Sequence, residues 1–423
     1  MTYGRTPVIF TLFVAGTMLV SSIPSHGEET LPLENGASTS SFSNNALEPR
    51  DTPADKSNSD RGNDREEEAA DLPTSLVDLR DAVQTFPNSL QDHLELADTL
   101  YRVGDVDQAI DEYRIALKLK PESARAHMQL GVALMTKQDW RTAMVELKEA
   151  IRLDPDLTQA HYNLGTVYYT TGNLKGAIQA YQRALELQNH FPDARYRLAL
   201  VLKLSHRDQE SAQSMEEAAR GGVAQAQYFI GNAYGTGQGV EKNTALAVYW
   251  WTKALALGHQ PAATSLSQLR RQALSSTQPE AKRQEALEAF RNYRDKLWDN
   301  FPDLSRIGEA ETLGTTLLKQ NRSDQTVSVL LQESYALSEA AQIELARLYE
   351  MGWEPHLAPF DKRILTSFEI TANDGFVPAK KILASIYAKG IGTIPDLPKA
   401  KAQLKGLPKQ EITSILSDLP SQP

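Results

Sequence analysis

The sequence predicts an all-α chain folded as a right-handed solenoid of paired antiparallel helices. Prolines recur every 34 residues at Pro87, Pro121 and Pro155. Small and large residues keep the same interval, at Ala97, Gly131, Gly165 and Ala199 and at Leu96, Leu130, Leu164 and Leu198. A repeat of about 34 residues with such positions locked together is typical of stacked helix pairs, and we expect about eight to ten of them.

Composition excludes several classes of site and partner. The 423 residues contain 44 Lys and Arg against 54 Asp and Glu, and no cationic stripe follows the repeats, so a nucleic-acid partner is not expected. The absence of cysteine excludes disulfides, thiolate metal sites, a cysteine nucleophile and a cysteine-linked lipid anchor. It also fits an oxidising compartment.

Residues 1–27 have the layout of a secretory signal peptide. Arg5 precedes an apolar run, residues 8–20, and Pro24 follows it. We expect cleavage after Gly27, with cleavage after Ser22 as an alternative, and a periplasmic or secreted product. The other interpretation is an uncleaved anchor, the only membrane contact we expect, although the run is short of the roughly 20 apolar residues that span a bilayer.

Residues 28–72 are rich in Ser, Asn, Asp, Glu and Pro, which predicts a disordered acidic and polar linker. The first solenoid segment is predicted at residues 73–205. It begins near Leu76 with a half-repeat that can serve as an N-terminal cap. Three full repeats follow at residues 90–123, 124–156 and 157–190, and a fourth first helix comes after them.

These repeats resemble the tetratricopeptide repeat family. The matching positions are a small residue at position 8, Ala at position 20, Tyr or Leu at position 24, Ala at position 27 and Pro at position 32. The residues at positions 20 and 24 are Ala109, Ala143 and Ala177 and Tyr113, Leu147 and Tyr181. Small residues let two helix axes approach to ~8 to 10 Å, and proline cannot continue the helix before it. The sequence departs from the family where His93, His127 and His161 stand in place of a frequent Trp, and where Asn189 replaces the third Pro.

Residues 206–272 change repeat type and resemble the Sel1-like repeat, a close relative with a longer glycine-bearing turn. The resemblance covers residues 224–258, where Gly237 and Gly239 mark the turn. The Lys and Ser or Thr of a phosphate-binding loop are missing there. Residues 273–338 read as degenerate helical repeats or an inserted hairpin. Residues 339–423 are predicted to hold two poorer Sel1-like units and a short tail with a cap helix.

No constellation of catalytic residues is apparent, and no metal or cofactor site is expected. The three repeated histidines would lie about 10 Å apart on stacked helices, too far for one metal ion. We therefore interpret them as packing or boundary imidazoles. Trp250 and Trp251 are interpreted as helix packing rather than a platform for a sugar. The chain is not expected to be an enzyme.

The resemblance implies a concave groove lined by first-helix positions 5, 9, 12 and 13. In this sequence the expected partner-binding residues are Leu94, Asp98, Tyr101, Arg102, Met128, Val132, Met135, Thr136, Tyr162, Thr166, Tyr169, Thr170, Tyr196, Leu200 and Lys203. Aromatic and methionine side chains give large, adaptable contact area. The Lys and Asn clamp that holds chaperone C-termini in some family members is absent, because Leu94, Asp98, Met128 and Val132 occupy its positions.

The resulting hypothesis is a non-enzymatic scaffold of the bacterial cell envelope that binds an extended peptide or protein partner. In architecture the chain is similar to exported helper subunits of exopolysaccharide secretion. Two alternatives remain open. One is a peptidoglycan-associated enzyme or a protein that assists such an enzyme, although the secreted Sel1-like proteins of that kind are rich in cysteine. The other is an inner-membrane adaptor held by an uncleaved signal.

Overall fold

The computed structural model describes residues 75–304, 312–353, 355–409 and 412, all within the compact unit Asp71–Pro423. The predicted signal peptide and linker lie outside the described residues. Most of the tail, with its predicted cap helix, also lies outside them. Within the described ranges the regular structure is helical and no strand forms. The predicted all-α solenoid is confirmed.

Helix α1 is followed by nine successive helix pairs in the described part of the chain. The helices are α1 (Leu76–Thr85), α2 (Leu90–Arg102), α3 (Val106–Leu119), α4 (Ala124–Thr136), α5 (Trp140–Leu153), α6 (Thr158–Thr170), α7 (Leu174–Leu187), α8 (Pro192–Leu204), α9 (Asp208–Arg220), α10 (Ala224–Thr236), α11 (Thr244–Ala256), α12 (Gln260–Leu274), α13 (Glu280–Leu297), α14 (Leu313–Lys319), α15 (Ser323–Tyr335), α16 (Glu339–Met351), α17 (Lys362–Asn373), α18 (Val377–Lys389) and α19 (Leu397–Gln403).

The helix starts repeat because their capping residues repeat. Asp105, Asp139 and Asn173, spaced by 34 residues, each accept a hydrogen bond from the backbone N–H three residues later, at 3.3, 3.1 and 3.0 Å. Such a cap satisfies one of the N–H groups that a helix leaves unpaired at its start. The second helices of the first three repeats therefore begin in register.

The small residues at position 8 lie where the two helices of a pair meet. A Cβ atom added to Gly131 would come within 2.8 Å of Leu147, and one added to Gly165 would come within 2.8 Å of Tyr181. Ala97 in the first repeat is fully buried. The predicted close approach of paired helices is confirmed.

The turn between α10 and α11 needs glycine. Gly237 and Gly239 have φ angles of 83° and 73°, in the left-handed region that disfavours a side chain. A Cβ atom on Gly239 would also overlap the backbone carbonyl of Asp208. The interpretation of these glycines as a turn is confirmed, and so is the packing role of Trp250 and Trp251, which are both buried.

Helices α11 to α15 share one apolar core, which includes Ala247, Phe290 and Leu337. Helices α15 to α19 share another, which includes Leu345, Phe368 and Leu383. The segment predicted as degenerate repeats or an insertion is thus packed continuously with the helices before it.

Candidate functional site

The predicted groove residues lie on α2, α4, α6 and α8, the first helices of four successive pairs, and we call this surface the first-helix face. Each of these helices contacts the next, α2 with α4, α4 with α6 and α6 with α8. Tyr101 and Thr136 join two of them directly, because their hydroxyl oxygens lie 2.9 Å apart. The side chains of four repeats therefore form one continuous surface.

Two predicted partner-binding residues are buried instead of exposed on this face. Leu94 is 5% exposed and belongs to the apolar core of the first repeats. Leu200 is 7% exposed, within an unbroken run of buried residues, Leu198 to Leu202, on α8. Both side chains are enclosed by the packing of neighbouring helices, so the prediction that they offer surface to a partner is corrected.

Asp98 is committed to contacts within the fold. Its carboxylate accepts hydrogen bonds from the Tyr113 hydroxyl at 2.6 Å, from Arg125 Nη2 at 2.9 Å and from Gln129 Nε2 at 3.2 Å. Burial raises the pKa of Tyr113, and the hydrogen bond to Asp98 raises it further. Asp98 therefore connects α2 with α3 and α4.

The other residues predicted in the first two repeats have mixed surroundings. Met128 and Met135 are half-buried against the apolar core. Arg102 is exposed, and its Nη2 donates to Thr99 Oγ1 at 2.9 Å. Val132 is half-buried. This part of the face carries apolar surface and the exposed guanidinium group of Arg102.

Aromatic rings concentrate in the third and fourth repeats. The Tyr162 ring centroid lies 4.9 Å from that of Phe191 and 5.8 Å from that of Tyr181. The hydroxyl of Tyr181 lies 3.1 Å from Thr166 Oγ1. Farther along, the ring of Tyr196 stacks on Phe229 of α10 with centroids 6.4 Å apart. The structure thus brings Tyr162, Thr166 and Tyr196 onto neighbouring helices, as the groove prediction requires.

Arg197 lies among these rings and was not among the predicted residues. Burial raises the pKa of Tyr162 and of Tyr169, and the positive charge of Arg197 opposes both shifts. Arg197 is half-buried beside the Tyr162 side chain and makes no ion pair with a carboxylate of the described residues. We call Tyr162, Tyr169, Tyr181, Tyr196 and Arg197 the tyrosine–arginine cluster.

Arg197 could have been found by extending the repeat comparison to position 6. The equivalent residues are Glu95, Gln129 and Asn163, so a cation occurs at this position only in the fourth first helix. Lys203, a second cation on α8, donates from Nζ to Gln238 Oε1 at 3.3 Å and so reaches the glycine-bearing turn. Arg197 and Lys203 thus place two cations at the α8 end of the first-helix face.

The repeated histidines lie outside the tyrosine–arginine cluster, and the first two each contact a glutamate of their own repeat. Nδ1 of His93 is 2.6 Å from Glu112 Oε2, and Nδ1 of His127 is 2.7 Å from Glu146 Oε2. Among the residues that the structure describes, no three His, Asp or Glu side chains gather into a group that could hold a metal ion. In the same residues, no helix combines the length and apolar character needed to cross a membrane.

Sequence comparisons identify both repeat types. Tetratricopeptide repeat profiles match residues 94–157 and 158–191, and the Sel1 repeat profile matches residues 224–259 and 379–402. The chain therefore carries tetratricopeptide and Sel1 repeats, as the sequence predicted. No curated protein sequence is significantly similar to it.

Solved structures of repeat proteins resemble parts of the chain. A crystal structure of MamA protein is 28% identical over 41% of this chain and 93% of its own, with a TM-score of 0.35. YrrB, described as a TPR protein with an unusual peptide-binding site, is 22% identical over 45% of this chain and 98% of its own, with a TM-score of 0.37. PilF of Pseudomonas aeruginosa is 23% identical over 49% of this chain and 86% of its own, with a TM-score of 0.35.

Proposed function

We propose that this protein-interaction scaffold of tetratricopeptide and Sel1 repeats acts without catalysis, by holding an extended segment of a partner protein on its first-helix face. The segment lies across the tyrosine–arginine cluster, from Tyr169 on α6 to Tyr196 on α8. The observation that carries this proposal is the half-buried Arg197, which stands among tyrosines without an ion-pair partner among the described residues.

The chemistry of the cluster favours a segment that carries a carboxylate. A guanidinium group binds a carboxylate through two parallel hydrogen bonds, and its attraction is stronger where water is partly excluded. Tyrosine rings supply large contact area at a modest entropic cost and are frequent among the residues that dominate binding energy. Tyr162 and Tyr169 would pack on the apolar part of the segment while Arg197 binds its acidic group.

The proposed place of action is the bacterial cell envelope, with the protein periplasmic or secreted. The signal-peptide layout of residues 1–27 supports export, and the absence of cysteine is compatible with it. The architectural similarity to exported helpers of exopolysaccharide secretion suggests work of that kind, such as positioning a subunit of an assembly in the envelope.

Site-specific photo-cross-linking in intact cells tests the proposal. A photoreactive phenylalanine analogue replaces Tyr169 on the first-helix face. In a control it replaces Ile343, an exposed residue of α16 that lies outside the first-helix face. Mass spectrometry should identify one partner segment, containing Asp or Glu, joined to position 169 and not to position 343.

The double variant Tyr162→Ala with Tyr169→Ala should keep its helical circular dichroism but lose most capture of that partner by the purified scaffold. Arg197→Gln should weaken capture at least tenfold, since about 1.4 kcal/mol corresponds to that factor and an ionic hydrogen bond contributes roughly 1.5 to 3 kcal/mol. Unchanged capture by the double variant, or cross-links confined to the Sel1 half, would move the site elsewhere.

A further inference from the structure

We infer that a cleft beside His161 binds a carboxylate group from outside the chain. The cleft has a volume of about 250 Å³ and lies between α5, α6 and α7, where its lining includes Lys148, His161, Tyr168, Gln179, Ala180 and Arg183. None of its lining residues belongs to the tyrosine–arginine cluster. It is therefore a second site, separate from the proposed peptide site.

The two preceding repeats show what normally occupies this position. In each, histidine Nε2 lies near a proline carbonyl, 3.1 Å from Pro87 O for His93 and 3.0 Å from Pro121 O for His127. A carbonyl oxygen only accepts, so Nε2 carries the hydrogen and donates it. Nδ1 then faces the carboxylate of Glu112 or Glu146. A histidine and a glutamate thus form an internal pair in both repeats.

The third repeat keeps the histidine but lacks its carboxylate. His161 Nε2 lies 2.9 Å from Pro155 O, so the ring has the same anchor as His93 and His127. The residue 34 positions after Glu146 is Ala180. Among the described residues no side chain takes the place of that glutamate beside Nδ1 of His161. The third repeat therefore has the histidine of the pair but not its carboxylate.

A second substitution changes the charge of the cleft in the same direction. The residue 34 positions after Glu149 is Arg183, so an acid of the second repeat is replaced by a base in the third. The residues that line the described cleft include Lys148 and Arg183 but no Asp or Glu. The corresponding cleft beside His127, of about 450 Å³, contains Glu146 and Glu149 together with Lys148 and Arg152, so its acids and bases balance. The two clefts therefore differ in charge, and positive charge dominates where the internal acid is lost.

Lys148 and Arg183 make only exposed contacts within the chain, so both remain able to bind a ligand. Lys148 Nζ lies 5.7 Å from the centre of the Tyr168 ring and is exposed. Arg183 pairs with Asp156 at 3.1 Å and with Glu186 at 3.2 Å, and all three side chains are at least 43% exposed. Exposed pairs of this kind are weak, so a carboxylate in the cleft can compete for the guanidinium.

The ligand class that fits is a carboxylate with a short aliphatic stem, since Ile151 and Leu164 supply an apolar wall. It can be a free dicarboxylate or a glutamate side chain of a peptide. Two probes separate these sources: glutarate, and an N-acetylated, C-amidated Gly-Glu-Gly peptide. The matching Gly-Gln-Gly peptide, which lacks the charge, is the negative control.

Nitrogen-15 NMR of the histidine rings, recorded at mildly acidic pH, measures binding in the full-length protein. With ionic strength held constant by chloride, the ring signals of His161 should shift saturably with at least one acidic probe. The signals of His127, already paired with Glu146, should not move. His161→Gln assigns the signals.

Ala180→Glu restores the internal acid and should abolish the response of His161 to both probes. The reciprocal variant, Glu146→Ala with Glu149→Arg, should transfer a saturable response to His127, and it keeps the test decisive if Ala180→Glu fails to fold by circular dichroism. No response of wild-type His161 to either acidic probe, an equal response to the Gln peptide, or an undiminished response in folded Ala180→Glu would overturn the inference.

Discussion

Arg270 and Asp374, 104 residues apart in the chain, form an ion pair in which both side chains are only 1% exposed. Arg270 Nε lies 2.7 Å from Asp374 Oδ2, and Arg270 Nη1 donates to the carbonyl of Tyr335 at 3.2 Å. Burial lowers the pKa of Arg270, and the Asp374 carboxylate opposes that shift. The pair joins α12 to the end of α17. Both helices lie between the two segments that match the Sel1 repeat, residues 224–259 and 379–402.

Asp374→Ala should destabilise this junction strongly, because it leaves the Arg270 guanidinium buried without its carboxylate. Breaking a buried pair in this way typically costs about 3 to 5 kcal/mol. Hydrogen exchange measured by mass spectrometry should show faster exchange in peptides from α12 and α17. Arg271→Ala is the matched control, since Arg271 contacts the same carboxylate at 3.1 Å but is 65% exposed. If both variants exchange alike, the buried pair is not what holds the junction.

Gly239→Ala should be markedly more destabilising than Gly258→Ala. Both glycines have positive φ angles, 73° and 83°, at which an added side chain costs roughly 1 to 2 kcal/mol. Only at Gly239 does the added Cβ also meet backbone, at the Asp208 carbonyl, whereas Gly258 has nothing within 4 Å. Thermal unfolding followed by circular dichroism checks the order. Equal midpoints for the two variants would show that the turn shifts to make room.

Glu333 should make stability depend on pH. Its carboxylate accepts from the backbone N–H groups of Leu313 at 2.9 Å and Gly314 at 3.1 Å, yet burial dominates and raises its pKa to about 7. A raised carboxyl pKa means that the folded state holds its proton longer than the unfolded state. This contribution to stability is fully present below a pH of about 4.3, the unfolded pKa, and is lost as pH rises to about 7.

The size of that loss is at most about 4 kcal/mol, since each pKa unit corresponds to ~1.4 kcal/mol. Urea unfolding of wild type and Glu333→Gln across this pH range measures it. Glutamine cannot ionise, so the difference in unfolding free energy between the two proteins should shift in favour of the variant as pH rises. A difference that stays constant from acid to neutral pH would contradict the assignment.

Asp98→Ala should lower the unfolding temperature rather than act chiefly on partner binding. The substitution leaves the buried Tyr113 hydroxyl without the acceptor it has at 2.6 Å, at a cost of about 1 to 3 kcal/mol. Arg102→Ala, at an exposed site on the same helix, should change stability by less than about 0.5 kcal/mol. Calorimetry of both variants decides between the roles, because a partner-binding role alone predicts an unchanged midpoint.

The candidate site was only partly predictable. Tyr162 and Tyr196 follow from the repeat positions, and the structure places them on neighbouring helices. Leu94 occupies the position equivalent to Tyr162 but is buried, because its exposure depends on which side chains the adjacent helices supply. The binding role proposed for Arg197 depends on the tyrosines around it, and these tyrosines lie on three different helices.

The sequence by itself determined the helix pairs, their register and the glycine turn, since these rest on contacts and caps that recur at fixed spacing. Because each of these local constraints occurs in several repeats, the equivalent residues of the repeats can be compared within one sequence. The tertiary structure alone decided which face residues stay exposed, that Arg270 meets Asp374, and that bases but no acid line the cleft beside His161. Those features occur once and depend on packing between distant residues, so the periodicity of the sequence does not predict them.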